Sequence, residues 1–218
     1  MSARWAESDF VGGCLSLDFA NTVDNRIEPA KYKDSLGSYA DLVSWGLFAG
    51  VVSSGVANRL NELASTDPRA VASAFNQALR LREAVYRAFA ALSETQPPND
   101  EDIEKICSAF AGAGRCLSLV PTDAGVEVHW RIDPDDALGV IAPIAYSANR
   151  LLLGDELANL KQCQGCGWLF LDTSKNGRRR WCDMKTCGNR AKARRHRQKK
   201  ALAPTAPNNP PNDCNGSN

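Results

Sequence analysis

The sequence lacks any uncharged apolar run of the ~18–20 residues that a membrane span needs. Its most apolar stretch, residues 138–153, is interrupted by Pro143, Asn149 and Arg150. The opening residues, Met1 to Glu7, contain no apolar segment of the kind that marks a secretory signal. Both absences give a cytoplasmic chain as the expectation. Gly (16) and Pro (11) stand at ordinary frequencies, which excludes a collagen-like or wholly disordered chain. A catalytic constellation is also missing from residues 1–160. His129 lies in a strand-like run beside Trp130 and reads as a packed or surface residue, and Gly12-Gly13 is too short to cradle a phosphate. The expectation is a protein that is not an enzyme.

What the sequence does have is unevenly distributed. The formal net charge is only +1, yet residues 161–200 hold thirteen Lys or Arg against two acids, a formal +11. Residues 1–160 carry thirteen bases against 22 acids, a formal −9. Two charge regimes imply two parts with different partners. Cysteine follows the same division. Eight in 218 residues are too few and too clustered for a disulfide scaffold. Four of them fall in the basic segment, while Cys14, Cys107, Cys116 and Cys214 are scattered, the first three reading as small core residues and Cys214 as loose in the tail.

The first part reads as mostly helical. Residues 11–23 mix alternation with a helix-like end and leave their class open. Ser38 with Asp41 forms a variant capping box, opening a short helix that runs to Leu47 and that Gly50 closes. A second helix spans about Gly55 to Ala64. Asp67-Pro68 opens the longest helix, in which Val71, Phe75, Leu79, Leu81, Val85, Phe89 and Leu92 recur at helical spacing. Gln96-Pro97-Pro98 ends it. Asn99, with Asp102 three residues on, caps a helix whose stripe is Ile103, Ile106 and Phe110. Residues 116–120 and 126–130 are strand-like and flank a hairpin loop at 121–125. Asp133-Pro134-Asp135-Asp136 reads as a helix start, with that helix reaching Leu153 and kinked by Pro143. A short linker helix then leads from Gly154 into Cys163.

Cys163, Cys166, Cys182 and Cys187 form C-x2-C-x15-C-x4-C. Two close pairs separated by a hairpin's length of chain can place four thiolates at the corners of a tetrahedron, the geometry of structural Zn2+. A thioredoxin-like redox pair would open a helix, whereas Cys163-Gln164-Gly165-Cys166 opens a strand. An iron–sulfur cluster and unligated thiols are the remaining alternatives. With four protein ligands the zinc has no place for water, so its role is structural. Gly165 and Gly167 flank Cys166, where backbone N–H groups must approach sulfur.

Residues 190–200 follow the last cysteine without a helix breaker. Arg190, Arg194 and Arg197 make one stripe and Lys192, Arg195 and Lys199 a neighbouring one, leaving no apolar face to dock. A charge run is ordinarily a solvated tail. This one is anchored to a metal module that carries a second basic cluster, Arg178, Arg179 and Arg180, so double-stranded DNA is the expected partner. An acidic protein surface, the −9 part included, is the competitor.

These residues carry a family resemblance. Cys163-x2-Cys166-Gly167-x-Leu169-Phe170-x-Asp172, Arg179-Arg180-Trp181-Cys182 and Cys187-Gly188-Asn189-Arg190-x-Lys192 resemble the CGNR zinc finger. In that family the finger follows a domain called ABATE, assigned to stress-induced transcription regulators. Gly13-x-Leu15-x-Leu17-Asp18-Phe19-Ala20-Asn21-Thr22 and Leu81-Arg82-Glu83 are similar to that domain. The resemblance covers residues 10–200 and implies zinc on the four cysteines, a DNA-facing role for the basic residues, and bacterial transcription regulation in the stress response, with nucleoid association when bound.

The fold class expected is α+β. A mostly helical N-terminal domain with a small β-hairpin (1–160) precedes a small zinc-ribbon-like module ending in a basic helix (161–200) and a disordered tail (201–218). The metal ligands expected are Cys163, Cys166, Cys182 and Cys187. The DNA contacts expected are Arg178, Arg179, Arg180, Arg190, Lys192, Arg194, Arg195 and Arg197, with Arg190 at a base edge. Asp18, Asn21, Thr22, Arg26 and Arg82 are the candidates for lining a small-molecule effector pocket; the competing account has Asp18 and Asn21 capping a helix and Arg82 paired with an acid. The first domain would sense an effector or mediate self-association as a homodimer. The alternative function is an RNA- or protein-binding zinc adaptor without transcriptional output.

Overall fold

The computed structural model describes residues 4–202, so Cys214 and the tail expected at the C-terminus lie, from residue 203 on, outside the described residues. In chain order the elements are α1 (Leu15–Ala20), β1 (Val23–Asp24), β2 (Lys33–Asp34), α2 (Tyr39–Phe48), α3 (Ser54–Thr66), α4 (Pro68–Ser93), α5 (Asp100–Ala113), β3 (Leu117–Thr122), β4 (Gly125–Trp130), α6 (Ala142–Leu153), β5 (Leu160–Gln162), β6 (Leu169–Leu171) and α7 (Asn189–Leu202). The strands form three antiparallel pairs, β1 with β2, β3 with β4 and β5 with β6. This is the mostly helical α+β architecture expected. No described helix is long and apolar enough to cross a membrane.

The helix boundaries follow their capping chemistry. The Ser38 hydroxyl accepts the Asp41 N–H at 3.2 Å, while the Asp41 carboxylate reaches back to the N–H of Gly37 at 2.9 Å, a capping box shifted by one residue. Gly50, at φ +71°, takes the left-handed conformation that stops α2. Ser53 caps α3 and Asp67 caps α4. Along α4, Val71, Ala74, Ala78, Leu81, Val85 and Phe89 are buried at three- and four-residue steps, and the helix packs against α1, α2, α3 and α5. Asn99 caps α5, but Asp102 does not complete that cap. Its side chain is buried and accepts from Arg87 Nε at 2.9 Å, tying α5 to α4.

Three segments differ from their sequence pattern. The Asp133–Asp136 acids do not start a helix. The Asp133 carboxylate accepts the N–H of Asp135, and that of Asp136 the N–H of Leu138, local bonds that hold the chain in turns. The helix begins only at Ala142, so Pro143 sits in its first turn, where it needs no N–H partner, and produces no kink. The linker before Cys163 is a 3-10 turn, Asp155–Asn159, followed by β5. The β3–β4 hairpin is also tighter than expected: Thr122 pairs with Gly125, leaving Asp123 and Ala124 as a two-residue loop.

Residues 11–23, open by pattern, resolve into α1 and β1. Five of the six α1 residues are buried. A six-residue helix is unstable alone, so packing against α4, α6 and β6 holds it. Leu17, Phe19, Trp45, Leu42, Leu60, Phe89, Ile106 and Ile144 fill the core around it. Truncating a leucine there costs about 2–5 kcal/mol. Because β6 packs on α1, this core is continuous with the cysteine module: Leu169 and Leu171 belong to the same cluster as Leu17 and Phe89.

Candidate metal centre and basic helix

The four cysteines converge. Cys163 and Cys166 bracket the tight connection from β5 to β6, closed by Cys163 N–H to Trp168 O at 2.8 Å and Gly167 N–H to Cys163 O at 2.9 Å. Gly167 has φ +84°, and a Cβ there would lie 3.0 Å from Ile27 and 3.3 Å from the Tyr86 hydroxyl, so only glycine lets the turn seat against the first domain. Beyond β6, Asp172 organises the return loop. Its carboxylate accepts from Ser174 Oγ (2.6 Å), Ser174 N (3.1 Å), Arg179 N (2.8 Å) and Lys161 Nζ (3.1 Å). The Ser174 hydrogen bond leads in holding its pKa well below the usual carboxylate range. Asp183 then accepts the N–H groups of Lys185 and Thr186 and opens a π-helical turn, Met184–Gly188, that delivers Cys187 and runs directly into α7.

All four sulfurs are buried and lie within 4.8 Å of one another. Two of the edges, Cys166–Cys182 and Cys182–Cys187, are 3.7 and 3.8 Å. A tetrahedron with ~2.3 Å Zn–S bonds has sulfur–sulfur edges of about 3.8 Å. The donor set therefore fits one structural zinc ion, which would neutralise and clamp the thiolates. Hydrogen bonding from the sulfurs of Cys166, Cys182 and Cys187 pulls the Cys163 thiol far below its ordinary range, and those of Cys163, Cys182 and Cys187 push Cys166 far above it, so the four sulfurs share protons as one group. Four anionic sulfurs at this spacing repel unless a cation sits among them. The N–H of Gly165 approaches Cys163 Sγ at 3.4 Å, and Arg190 Nη2 donates to Cys187 Sγ at 3.3 Å. Such outer contacts orient metal-bound thiolates.

The basic residues fall into two groups. Arg179 donates to the Cys182 carbonyl and stacks over the Phe170 ring at 4.8 Å. Arg180 donates to Gln164 Oε1 at 2.9 and 2.6 Å and lies over Trp181. Arg190 is turned back onto the cysteines. These three guanidinium groups brace the module. Arg178 and the α7 residues Lys192, Arg194, Arg195 and Arg197 instead have no carboxylate within 4.0 Å among the described residues. Every residue from Lys192 to Gln198 is exposed.

Of the five candidate effector residues, Asn21 and Arg26 join the first domain to the metal module, whereas Asp18, Thr22 and Arg82 bond within the first domain. The Asn21 amide forms a reciprocal pair with the Leu169 backbone, Nδ2 to O at 2.8 Å and N–H to Oδ1 at 2.9 Å. The Arg26 N–H donates to the Cys166 carbonyl at 3.1 Å. Its guanidinium grips Glu83 at 2.7 and 2.9 Å and lies 3.9 Å over the Tyr86 ring. The Tyr86 hydroxyl donates to Gly167 O at 3.1 Å, and Trp168 Nε1 to Val23 O at 2.9 Å. Arg82 is fully engaged: both terminal nitrogens meet Asp34 at 2.7 Å, Nε meets Glu83 at 3.0 Å, and Nη1 reaches Thr22 Oγ1 at 3.3 Å. Asp18 accepts the Gly12 N–H at 2.7 Å, and burial raises its pKa to about 7. The pairing of Arg82 with an acid matches the competing account, whereas Asn21 bonds across the module boundary. Asn21, Glu83 and Tyr86 acquire these roles through partners 57 to 148 residues away; Asn21 and Glu83 lie in the motifs similar to the family, and nothing in the sequence marks Tyr86.

Comparison with family models matches residues 13–155 to ABATE, described as a putative stress-induced transcription regulator, and residues 159–200 to the CGNR zinc finger. No curated protein matches the chain.

Proposed function

We propose, from the premise that this chain belongs to the ABATE family and ends in a CGNR zinc finger, that it is a zinc-dependent transcription regulator that binds duplex DNA. The observation that carries this reading is α7. It leaves the last cysteine with no intervening loop and exposes Lys192, Arg194, Arg195 and Arg197, none with a carboxylate within 4.0 Å among the described residues, although Arg194 faces Glu28 at longer range. Phosphates are the ligands that would neutralise such a helix, and a fixed metal module supplies the pose from which it enters a groove.

In this reading Arg178, Lys192, Arg194, Arg195 and Arg197 contact phosphates and base edges, while Arg179, Arg180 and Arg190 hold the surface that presents them. Zinc contributes no chemistry beyond clamping four sulfurs. Asn21, Arg26 and Tyr86 bond residues 13–155 to residues 159–200, so an event in the first domain can reach the DNA-facing helix through them. The cytoplasm, with the nucleoid as its bound state, is the corresponding location.

The test is competition for the zinc-loaded protein between duplex DNA and single-stranded RNA of equal length, with genome-wide mapping of bound sites. Preference for duplex DNA at discrete sites is the expected result. Preference for single-stranded RNA, or retention of an acidic protein in place of either nucleic acid, would replace the reading with an adaptor function.

A further inference from the structure

The residues expected to form an effector pocket are committed to internal links, but the first domain carries a cleft elsewhere. It lies between α4, α5 and residues 136–142 and measures about 580 Å³, within the ~300–1,000 Å³ of small-molecule sites. Leu81, Ala109, Ala113, Leu138 and Ile141 supply an apolar lining.

The rim charges are asymmetric. α4 and α5 run antiparallel, with Arg87 on Asp102. Arg80, about two turns earlier on α4, therefore lies beside the C-terminal half of α5, the end that Arg115 follows. Neither arginine has a carboxylate within 4.0 Å among the described residues. Of the other lining charges, Lys105 is taken by Glu101 at 2.7 Å, and one Asp136 oxygen holds its own loop through the N–H of Leu138. Glu104 stands toward the opposite end, some eleven residues or about 16 Å along the helix axis from Arg115.

We propose that this cleft binds a small amphipathic monocarboxylate. Its apolar body lies on the leucine, isoleucine and alanine floor and its carboxylate meets Arg80 and Arg115. Glu104, toward the far end, repels a second anionic group, which selects against dicarboxylates. The proposal takes from the regulator reading only the idea that the first domain senses a small molecule, and its test involves no DNA.

The experiment is isothermal titration of the full zinc-loaded chain with octanoate, 1-octanol, octylamine and suberate. Octanoate should bind with a stoichiometry of one, and the alcohol, amine and diacid about tenfold or more weaker, the worth of a charge-assisted hydrogen bond. Arg80→Gln and Arg115→Gln, both at exposed positions, should each weaken octanoate binding to a similar degree with circular dichroism and zinc content unchanged. Ser108→Trp, which fills the cleft from its exposed side, should abolish it. Equal binding of octanoate and octanol, unchanged affinity in the arginine variants, or no saturable binding of any probe would overturn the proposal. Carboxylate binding by a protein without DNA affinity would leave this site standing and remove the regulator reading.

Discussion

Arg190 separates two accounts of the basic helix. By sequence it opens α7 and is the natural choice for a base contact, but its Nη2 lies 3.3 Å from Cys187 Sγ. A hydrogen bond to a charged partner contributes about 1.5–3 kcal/mol, so Arg190→Gln should lower zinc affinity by roughly 10- to 100-fold, the range found when contacts that orient metal ligands are removed. Zinc affinity is measured by chelator competition, and the thiolate-to-metal absorption of the cobalt-substituted protein should shift because the Cys187 sulfur loses a donor. With zinc saturating, the log–log salt dependence of DNA affinity should keep its slope in the variant. Were Arg190 a phosphate contact, the slope would fall by ~0.9. Unchanged zinc affinity together with that fall would refute the assignment.

Asn21→Ala should destabilise the folded protein by about 2–4 kcal/mol in urea denaturation, because it leaves the buried N–H and carbonyl of Leu169 without partners; an effect below 1 kcal/mol would show that the amide pair does not couple the two parts. Asp18 predicts a pH dependence. Its folded-state pKa, about 7, lies above the ordinary aspartate value of 3.8, so between these values the folded chain holds a proton that the unfolded chain has already lost. The contribution of Asp18 is therefore fully present below about pH 4 and is lost as pH rises from about 4 to about 7, by as much as about 4 kcal/mol, opposite in direction to that of carboxylates with lowered pKa such as Asp172. In Asp18→Asn this component should vanish from a plot of unfolding free energy against pH, and a persisting slope would assign it to another group. Because β6 is shared between the metal module and the main core, chelation should lower the thermal midpoint of the whole chain in one transition. A separate low-temperature step for the module alone would contradict that.

The long helices were legible because their signals are local. Asp67-Pro68 and the spacing of Val71, Leu81, Val85 and Phe89 define α4 within a single stretch of chain, and the cysteine spacing defines the metal site in the same way. The Asp133–Asp136 run misled because aspartate is as good at closing turns on its own backbone as at starting helices, and nothing local decides between the two. The junction was not legible as such, although Asn21 and Arg26 stood out as polar groups beside apolar runs. Asn21 and Leu169 are 148 residues apart, and a polar residue beside an apolar run looks the same whether it will face a ligand or a distant backbone. Arg179, Arg180 and Arg190 belong to the same class: their charge was visible, but whether a guanidinium turns inward depends on the carbonyls, rings and sulfurs that folding brings within reach.

The most direct measurement is duplex-DNA affinity of the intact protein across a salt series, with zinc bound and after chelation. The zinc-loaded protein should lose affinity linearly on the log–log plot, with a slope magnitude of up to about 4.5 if the five exposed cations Arg178, Lys192, Arg194, Arg195 and Arg197 each meet a phosphate. Chelation should abolish that binding. Affinity that ignores salt, or that survives removal of the metal unchanged, would contradict the account.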